Sequence, residues 1–274
     1  MTDPAAPKIT VAGLRRAYRD PSGAPIVALD GVDLTIAEGE FVCLLGPSGC
    51  GKSTLLRLLA GLERPSAGSA RIDHHDPTHP AQAMVFQGPS LFPWRTVLDN
   101  VAYGLELAGR PRPERETIAR QRLAQVGLVG FAGAFPHQLS EGMRQRANLA
   151  RALAVDPAVL LMDEPFGNLD EQNRLLMQGE LLALWRGGGR PVTVVFVTHS
   201  IDEAIVLADR IVILTPRPGR IDTILPVPLA RPRDAVALRG DPVYAALYAT
   251  CWDHLREGVL AARGAGVNMA VSGS

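Results

Sequence analysis

Gly46-Pro47-Ser48-Gly49-Cys50-Gly51-Lys52-Ser53-Thr54 is the stretch that decides the fold. It fits the pattern G-x-x-x-x-G-K-[ST], in which glycines let backbone N–H groups turn inward around phosphate oxygens. Phe41–Leu45, just before it, is a short continuous apolar run of the kind found in buried parallel strands. Just after it, Leu55, Leu56, Leu58, Leu59 and Leu62 recur at helical spacing, and the helix is expected to stop near Gly61–Pro65. A strand, a glycine turn and a helix supply the context such a loop needs, because the helix N-terminus presents its positive end to the same anion. Lys52 can then reach the terminal phosphates, and Ser53 can offer its hydroxyl to Mg²⁺. The bias of the chain strengthens the reading of Lys52. Of 28 Lys and Arg residues only Lys8 and Lys52 are lysines, so a lysine kept here calls for a reason. Cys50 is read as a small tolerated residue and not as a redox sensor.

Outward from the loop, the chain alternates. On the N-terminal side, Ile9–Val11, Ile26–Leu29 and Val32–Ile36 are short apolar stretches separated by Pro21, Gly23, Gly31 and Gly39. They predict a small antiparallel sheet. On the C-terminal side, Val159–Met162 ends in Asp163-Glu164-Pro165, and Val192–Val197 ends in Thr198-His199. Both read as buried strands. Between them and the first strand, Leu98–Ala154 has helical patterning, with Ala119, Leu123 and Val126 on one face. The order predicts a parallel sheet with crossover connections and a helical subdomain inserted between strands. After Ile211–Leu214 the chain turns at Pro216-Arg217-Pro218-Gly219, then runs to one more predicted helix, Pro242–Leu260. The last dozen residues are rich in Gly, Ala and Ser and are expected to fray. No internal repeat is visible.

Composition narrows the class. The 274 residues are 47% apolar and 20% charged, which fits a folded chain and excludes a disordered one or a fibre. Lys+Arg and Asp+Glu are both 28, so nothing global favours nucleic acid. No run approaches the roughly 18–20 apolar residues that span a bilayer. The N-terminal MTDPAAPKIT has no apolar signal segment, which predicts a cytosolic chain. Cys43, Cys50 and Cys251 do not form a disulfide scaffold. His74, His75 and His79 lack a strong zinc spacing and read as a solvated loop, and Arg110–Arg122 reads as a solvated helix face.

Two more segments carry chemistry. An apolar strand delivering Asp163 to a phosphate site can hold Mg²⁺, and Glu164 beside it could polarise an attacking water. In Leu139-Ser140-Glu141-Gly142, Ser140 looks like a helix N-cap, with Ala147, Ala150 and Ala154 recurring behind it. With these in place, the order of glycine loop, Gln87, Leu-Ser-x-Gly, Asp-Glu and a strand-end His resembles the nucleotide-binding subunit of ATP-binding-cassette (ABC) transporters, over roughly residues 8–225.

The resemblance implies an α/β fold: a P-loop NTPase (RecA-like) core, an antiparallel β subdomain and an inserted α-helical signature subdomain. The ATPase domain would span 1–235, with the helical subdomain near 90–155 and a C-terminal extension from 236. It implies ATP and Mg²⁺ as ligands. Gly46, Pro47, Ser48, Gly49, Cys50, Gly51, Lys52, Ser53 and Thr54 would cradle the phosphates, and Tyr18 would stack on adenine. Gln87, after the strand Ala83–Phe86, matches the Q-loop glutamine, which contacts Mg²⁺ or the attacking water. Ser53, Gln87 and Asp163 would thus serve the metal. Glu164, His199 and Gln87 would be catalytic, with His199 at the γ-phosphate. Gly167-Asn168-Leu169-Asp170 looks like the D-loop, and Asp170 joins the nucleotide-binding set. Two subunits would face head to tail, so that Ser140 and Gly142 serve the partner's ATP. Glu141 departs from the usual glycine and Asn168 from the usual small residue. Glu141 is expected to point away from the phosphate, so that hydrolysis survives.

Leu91–Val101 and Thr215–Ile221 further resemble the nitrate/sulfonate/taurine importer branch. Phe92 and Trp94 would suit an apolar coupling surface for a membrane subunit. The implied function is an ATPase driving import of a small anionic solute. It would sit peripherally at the cytoplasmic face of the inner membrane with a transmembrane permease, a second ATP-binding subunit and, indirectly, a solute-binding protein. The alternative is a soluble ABC ATPase acting on nucleic acid or ribosomes. The solute itself is not encoded in this chain.

Overall fold

The computed structural model describes residues 7–88, 90–186 and 192–271. The chain forms two compact units, one from the segments up to Asp73 and from Val195 onward, the other from His74–Val194.

In chain order, the first unit begins with strands β1 (Ile9–Arg19), β2 (Pro25–Ile36) and β3 (Phe41–Leu45), helix α1 (Lys52–Leu59) and strand β4 (Ala67–Ile72). The second holds β5 (Gln82–Val85), α2 (Val97–Leu107), α3 (Arg112–Gln125), α4 (Glu141–Ala154), β6 (Val159–Asp163) and α5 (Glu171–Arg186). Strand β7 (Thr193–Thr198) carries the chain back to the first unit, which ends with α6 (Ile201–Leu207), β8 (Arg210–Leu214), β9 (Ile221–Pro226) and α7 (Pro242–Val271).

β1 pairs antiparallel with β2, with Ile9 opposite Ile36 and Tyr18 opposite Ile26, and antiparallel with β4 on its other edge. Along β2 the period of two is plain: Val32, Leu34 and Ile36 are buried while Asp33 and Thr35 are exposed. The second sheet of this unit runs β7-β3-β8-β9. β3 lies parallel to β8, with Val42 opposite Arg210 and Leu45 opposite Ile213, and β9 returns antiparallel. All five residues of β3 are buried, as a strand covered on both faces requires.

In the second unit β5 pairs parallel with β6, Gln82 opposite Val159. The region expected to be helical resolves into three helices around one core, in which Val101, Leu105, Leu123, Ala147 and Ala150 are buried. Ala119, Leu123 and Val126 share the buried face, at 0%, 0% and 3% exposure. Around the start of α3, i,i+4 ion pairs join Arg110 to Glu114 and Arg112 to Glu116.

The tail departs from expectation. Helix α7 continues past Leu260 to Val271, so it runs on into the residues expected to fray. No proline interrupts this stretch, and Ala261, Ala262, Ala265 and Ala270 offset Gly264 and Gly266. The final three residues of the expected frayed dozen lie outside the described residues. Among the described residues, no helix is long and apolar enough to cross a membrane.

Candidate active site

The glycine loop is built by backbone conformations that a side chain resists. Gly49 has φ 76° and Gly51 φ 101°, and a Cβ on Gly51 would stand 2.6 Å from Leu29 Cδ2 and 3.0 Å from the Ala28 carbonyl oxygen. Helix α1 starts at Gly51 with no side-chain cap and no acidic residue in its first turn. Lys52 is 5% exposed. Its Nζ donates to the Gly46 carbonyl at 2.6 Å and the Pro47 carbonyl at 3.1 Å, and pairs with no carboxylate among the described residues. Cys50 is also buried, and burial pushes its thiol above the usual range, which keeps it protonated at neutral pH.

Tyr18, in β1, donates through its hydroxyl to Glu63 Oε2 at 2.6 Å and lies 3.4 Å from Thr54 Oγ1. The Arg16 guanidinium sits 4.5 Å over its ring centroid, so a base stacking on Tyr18 would use the opposite face. His199, exposed, follows β7 in the same unit. Its flanks are tied down: Ser200 N–H donates to Thr198 Oγ1 at 2.9 Å, and Ser200 Oγ caps α6 at Glu203 N–H, 3.3 Å.

The carboxylates belong to the second unit. β6 ends on Asp163, 4% exposed. Glu164 follows in the left-handed region at φ 43°, a costly conformation for a residue with a Cβ. Gln87 Nε2 donates to Glu164 Oε2 at 3.3 Å, so the structure joins two of the three residues expected to be catalytic. Glu164 lines a small open cleft with Glu141, Arg144, Gln145, Asn148 and Asn168. Ser140 caps α4, its Oγ accepting from Met143 N–H at 3.3 Å, and Glu141 is exposed in the first turn. Gly142 is half-buried in that turn, and no atom lies within 4 Å of where its Cβ would stand. Asp170 acts as a cap for α5. It accepts from Asn173 N–H at 2.9 Å and Asn173 Nδ2 at 2.7 Å, and these bonds hold its carboxyl below the usual range.

Four polar residues escape a motif reading. Asn100 is fully buried; it accepts from Phe92 N–H at 2.7 Å and donates to the carbonyls of Phe92, Arg95 and Thr96 at 3.1, 3.1 and 2.9 Å. It thus clamps the segment that presents Trp94, which is 72% exposed. Arg151 donates to the Ser90 carbonyl at 2.6 Å and to Ser90 Oγ at 2.7 Å, and Ser90 Oγ donates onward to Asn148 Oδ1 at 3.0 Å. The signal that could have found Asn100 is an asparagine at an apolar helical position.

The glycine loop, its uncapped helix and the carboxylate-ending strand define a P-loop ATPase. A family model described as "ABC transporter" matches residues 29–167, and the chain belongs to that family. An uncharacterised ABC transporter ATP-binding protein of Methanocaldococcus jannaschii is 50% identical over 79% of this chain and 81% of the relative. The taurine import ATP-binding protein of Yersinia pestis is 47% identical over 78% of this chain and 82% of the relative. The bicarbonate transport ATP-binding protein of Synechococcus elongatus is 43% identical, over 87% and 86%. Among solved structures, a dimeric ATP-binding cassette in a post-hydrolysis state bound to ADP and Pi is similar at a TM-score of 0.70. Its identity is 32%, over 81% of this chain and all of that one.

Proposed function

We propose that this chain is the ATP-hydrolysing subunit of an importer for a small anionic solute, working as a homodimer beneath a membrane permease. The observation that carries the reading is the segment after Gln87. An indole 72% exposed on a platform pinned by a buried asparagine suits a groove on a partner. The import and transport functions named for the Yersinia and Synechococcus relatives support the solute class, which includes taurine, other sulfonates, nitrate and bicarbonate.

In this reading the glycine loop and Lys52 hold the ATP phosphates, and Tyr18 meets the base. Ser53, Asp163 and Gln87 offer hydroxyl, carboxylate and amide oxygens, hard donors of the kind that would suit Mg²⁺. Bound there, the ion would neutralise charge on the transferring phosphoryl group. Glu164 takes the proton of the attacking water, oriented by the Gln87 hydrogen bond, and His199 meets the γ-phosphate. Ser140 and Gly142 serve the nucleotide of the second subunit, so a monomer binds ATP but turns it over poorly.

The test is to capture tagged Glu164→Gln protein with MgATP from detergent-solubilised native membranes. A stoichiometric multi-span partner is expected, whose solute-binding protein can then be screened with nitrate, sulfonates, taurine and bicarbonate. Recovery of ribosomes or DNA, or of no membrane chain, overturns the importer reading in favour of a soluble ABC ATPase.

A further inference from the structure

The turn between β8 and β9 is fastened to the glycine loop. Thr215 N–H donates to the Arg220 carbonyl at 2.9 Å, Arg220 N–H donates to Thr215 Oγ1 at 3.0 Å, and Thr215 Oγ1 donates to the Pro218 carbonyl at 3.1 Å. This closed turn is stitched to β2: Gly219 N–H donates to the Ala28 carbonyl at 2.9 Å, and Asp30 N–H donates to the Gly219 carbonyl at 3.0 Å. It also lies against the glycine loop itself. A Cβ on Gly219 would fall 2.0 Å from the Cys50 carbonyl oxygen, so only glycine permits this approach.

The turn carries two arginines with different fates. Arg220 forms an ion pair with Asp30. Arg217 is exposed and has no hydrogen bond or ion pair to any described residue. Its Nη2 lies 3.8 Å from the point where a Cβ on Gly49 would stand, and no other non-neighbouring atom comes within 4 Å of that point. The missing side chain of Gly49 therefore leaves an opening between the guanidinium and the loop. A guanidinium held on a rigid turn beside a polyphosphate site is suited to planar, charge-assisted contact with phosphate oxygens.

We propose that Arg217 is a second cation of the phosphate site, contacting the polyphosphate of bound nucleotide across Gly49. The inference rests on reading the glycine loop as the nucleotide site.

The test is titration of MgATP and MgADP into the full chain by calorimetry, at low and high NaCl, for wild type, Arg217→Ala, Arg217→Lys and Arg220→Ala. At low salt, Arg217→Ala is expected to weaken both nucleotides by about 5–20-fold, since a charge-assisted bond at an exposed site is lost. Arg217→Lys should recover part of this, and Arg220→Ala should stay within about twofold of wild type. The gap between Arg217→Ala and wild type should narrow at high salt, because exposed charges are screened. Wild-type affinity in Arg217→Ala overturns the proposal. Equal, salt-independent weakening in all three variants also overturns it, since that pattern marks a damaged turn. If wild type binds neither nucleotide, the glycine-loop reading fails first and takes the inference with it.

Discussion

Helices α1 and α4 begin in opposite ways. α4 starts at Ser140, whose Oγ accepts from Met143 N–H, and places Glu141 in its first turn. α1 starts at Gly51, with φ 101°, no side-chain cap, no acid in the first turn and a lysine as its first residue. Both ends carry the same partial positive charge from aligned peptide dipoles. α4 neutralises that charge with its own side chains, as an ordinary surface helix does. α1 instead leaves it to whatever anion enters the glycine loop. In the proposed function the difference separates a helix start left open for a ligand from one that first stabilises itself.

The largest effect expected lies at neither helix. Glu164→Gln should cut phosphate release by about 10²–10⁴-fold while ATP binding persists, because it removes the base and leaves both N-termini intact. Unchanged multiple turnover would remove Glu164 from the chemistry. Gly51→Ala should come next. The new Cβ meets Leu29 and the Ala28 carbonyl and the backbone stays left-handed, so a loss of about 1–3 kcal/mol in urea unfolding is expected, together with weakened nucleotide binding. If this variant bound ATP like wild type, the contrast between the two helix starts would collapse. Ser140→Ala should cost about 0.5–2 kcal/mol as a lost cap, with ATP affinity of the isolated chain unaltered. A large affinity loss in that chain would mean that α4 serves its own nucleotide. Glu141→Gly should change the hydrolysis rate least, by no more than about threefold, because an exposed acid in the first turn of α4 is expected to point away from phosphate. A many-fold rise in rate would show that Glu141 opposes the incoming γ-phosphate.

Some parts of the fold were legible because they announce themselves locally. β3, β6 and β7 are continuous apolar runs, and the face Ala119, Leu123 and Val126 follows helical spacing. β4 and β9 went unread. Their residues are exposed or half-exposed, so Ala67–Ile72 and Ile221–Pro226 show neither a buried run nor a clean alternation. α5 was missed for a related reason: its buried positions include Gln178 beside Met177, Leu181 and Leu182, which blurs the apolar stripe. Within the candidate site, the hydrogen bond between Gln87 and Glu164 joins residues 77 positions apart, and no local pattern encodes it. Asp170 looked like a nucleotide contact, yet what it does within the chain is cap α5.

Arg233 marks the boundary between the two kinds of information. In the sequence it is one arginine in a proline- and arginine-rich segment. In the fold it is 8% exposed and donates to the carbonyls of Val227 and Leu229 nearby and of Ile205, Val206 and Ala208 some 25–28 residues away. The sequence by itself determined the glycine loop, the Ser140 cap and the buried strands, because each needs only what ten consecutive residues supply: a glycine where φ is positive, a hydroxyl before a helix, an apolar run. Only the tertiary structure decided that Asn100 clamps the Trp94 platform, that Arg233 satisfies carbonyls distant in the chain and that Arg217 stands beside Gly49. A polar side chain's role depends on which partners the fold brings within about 3 Å of it, and hydrogen-bond energy falls away beyond that distance whatever the residue type.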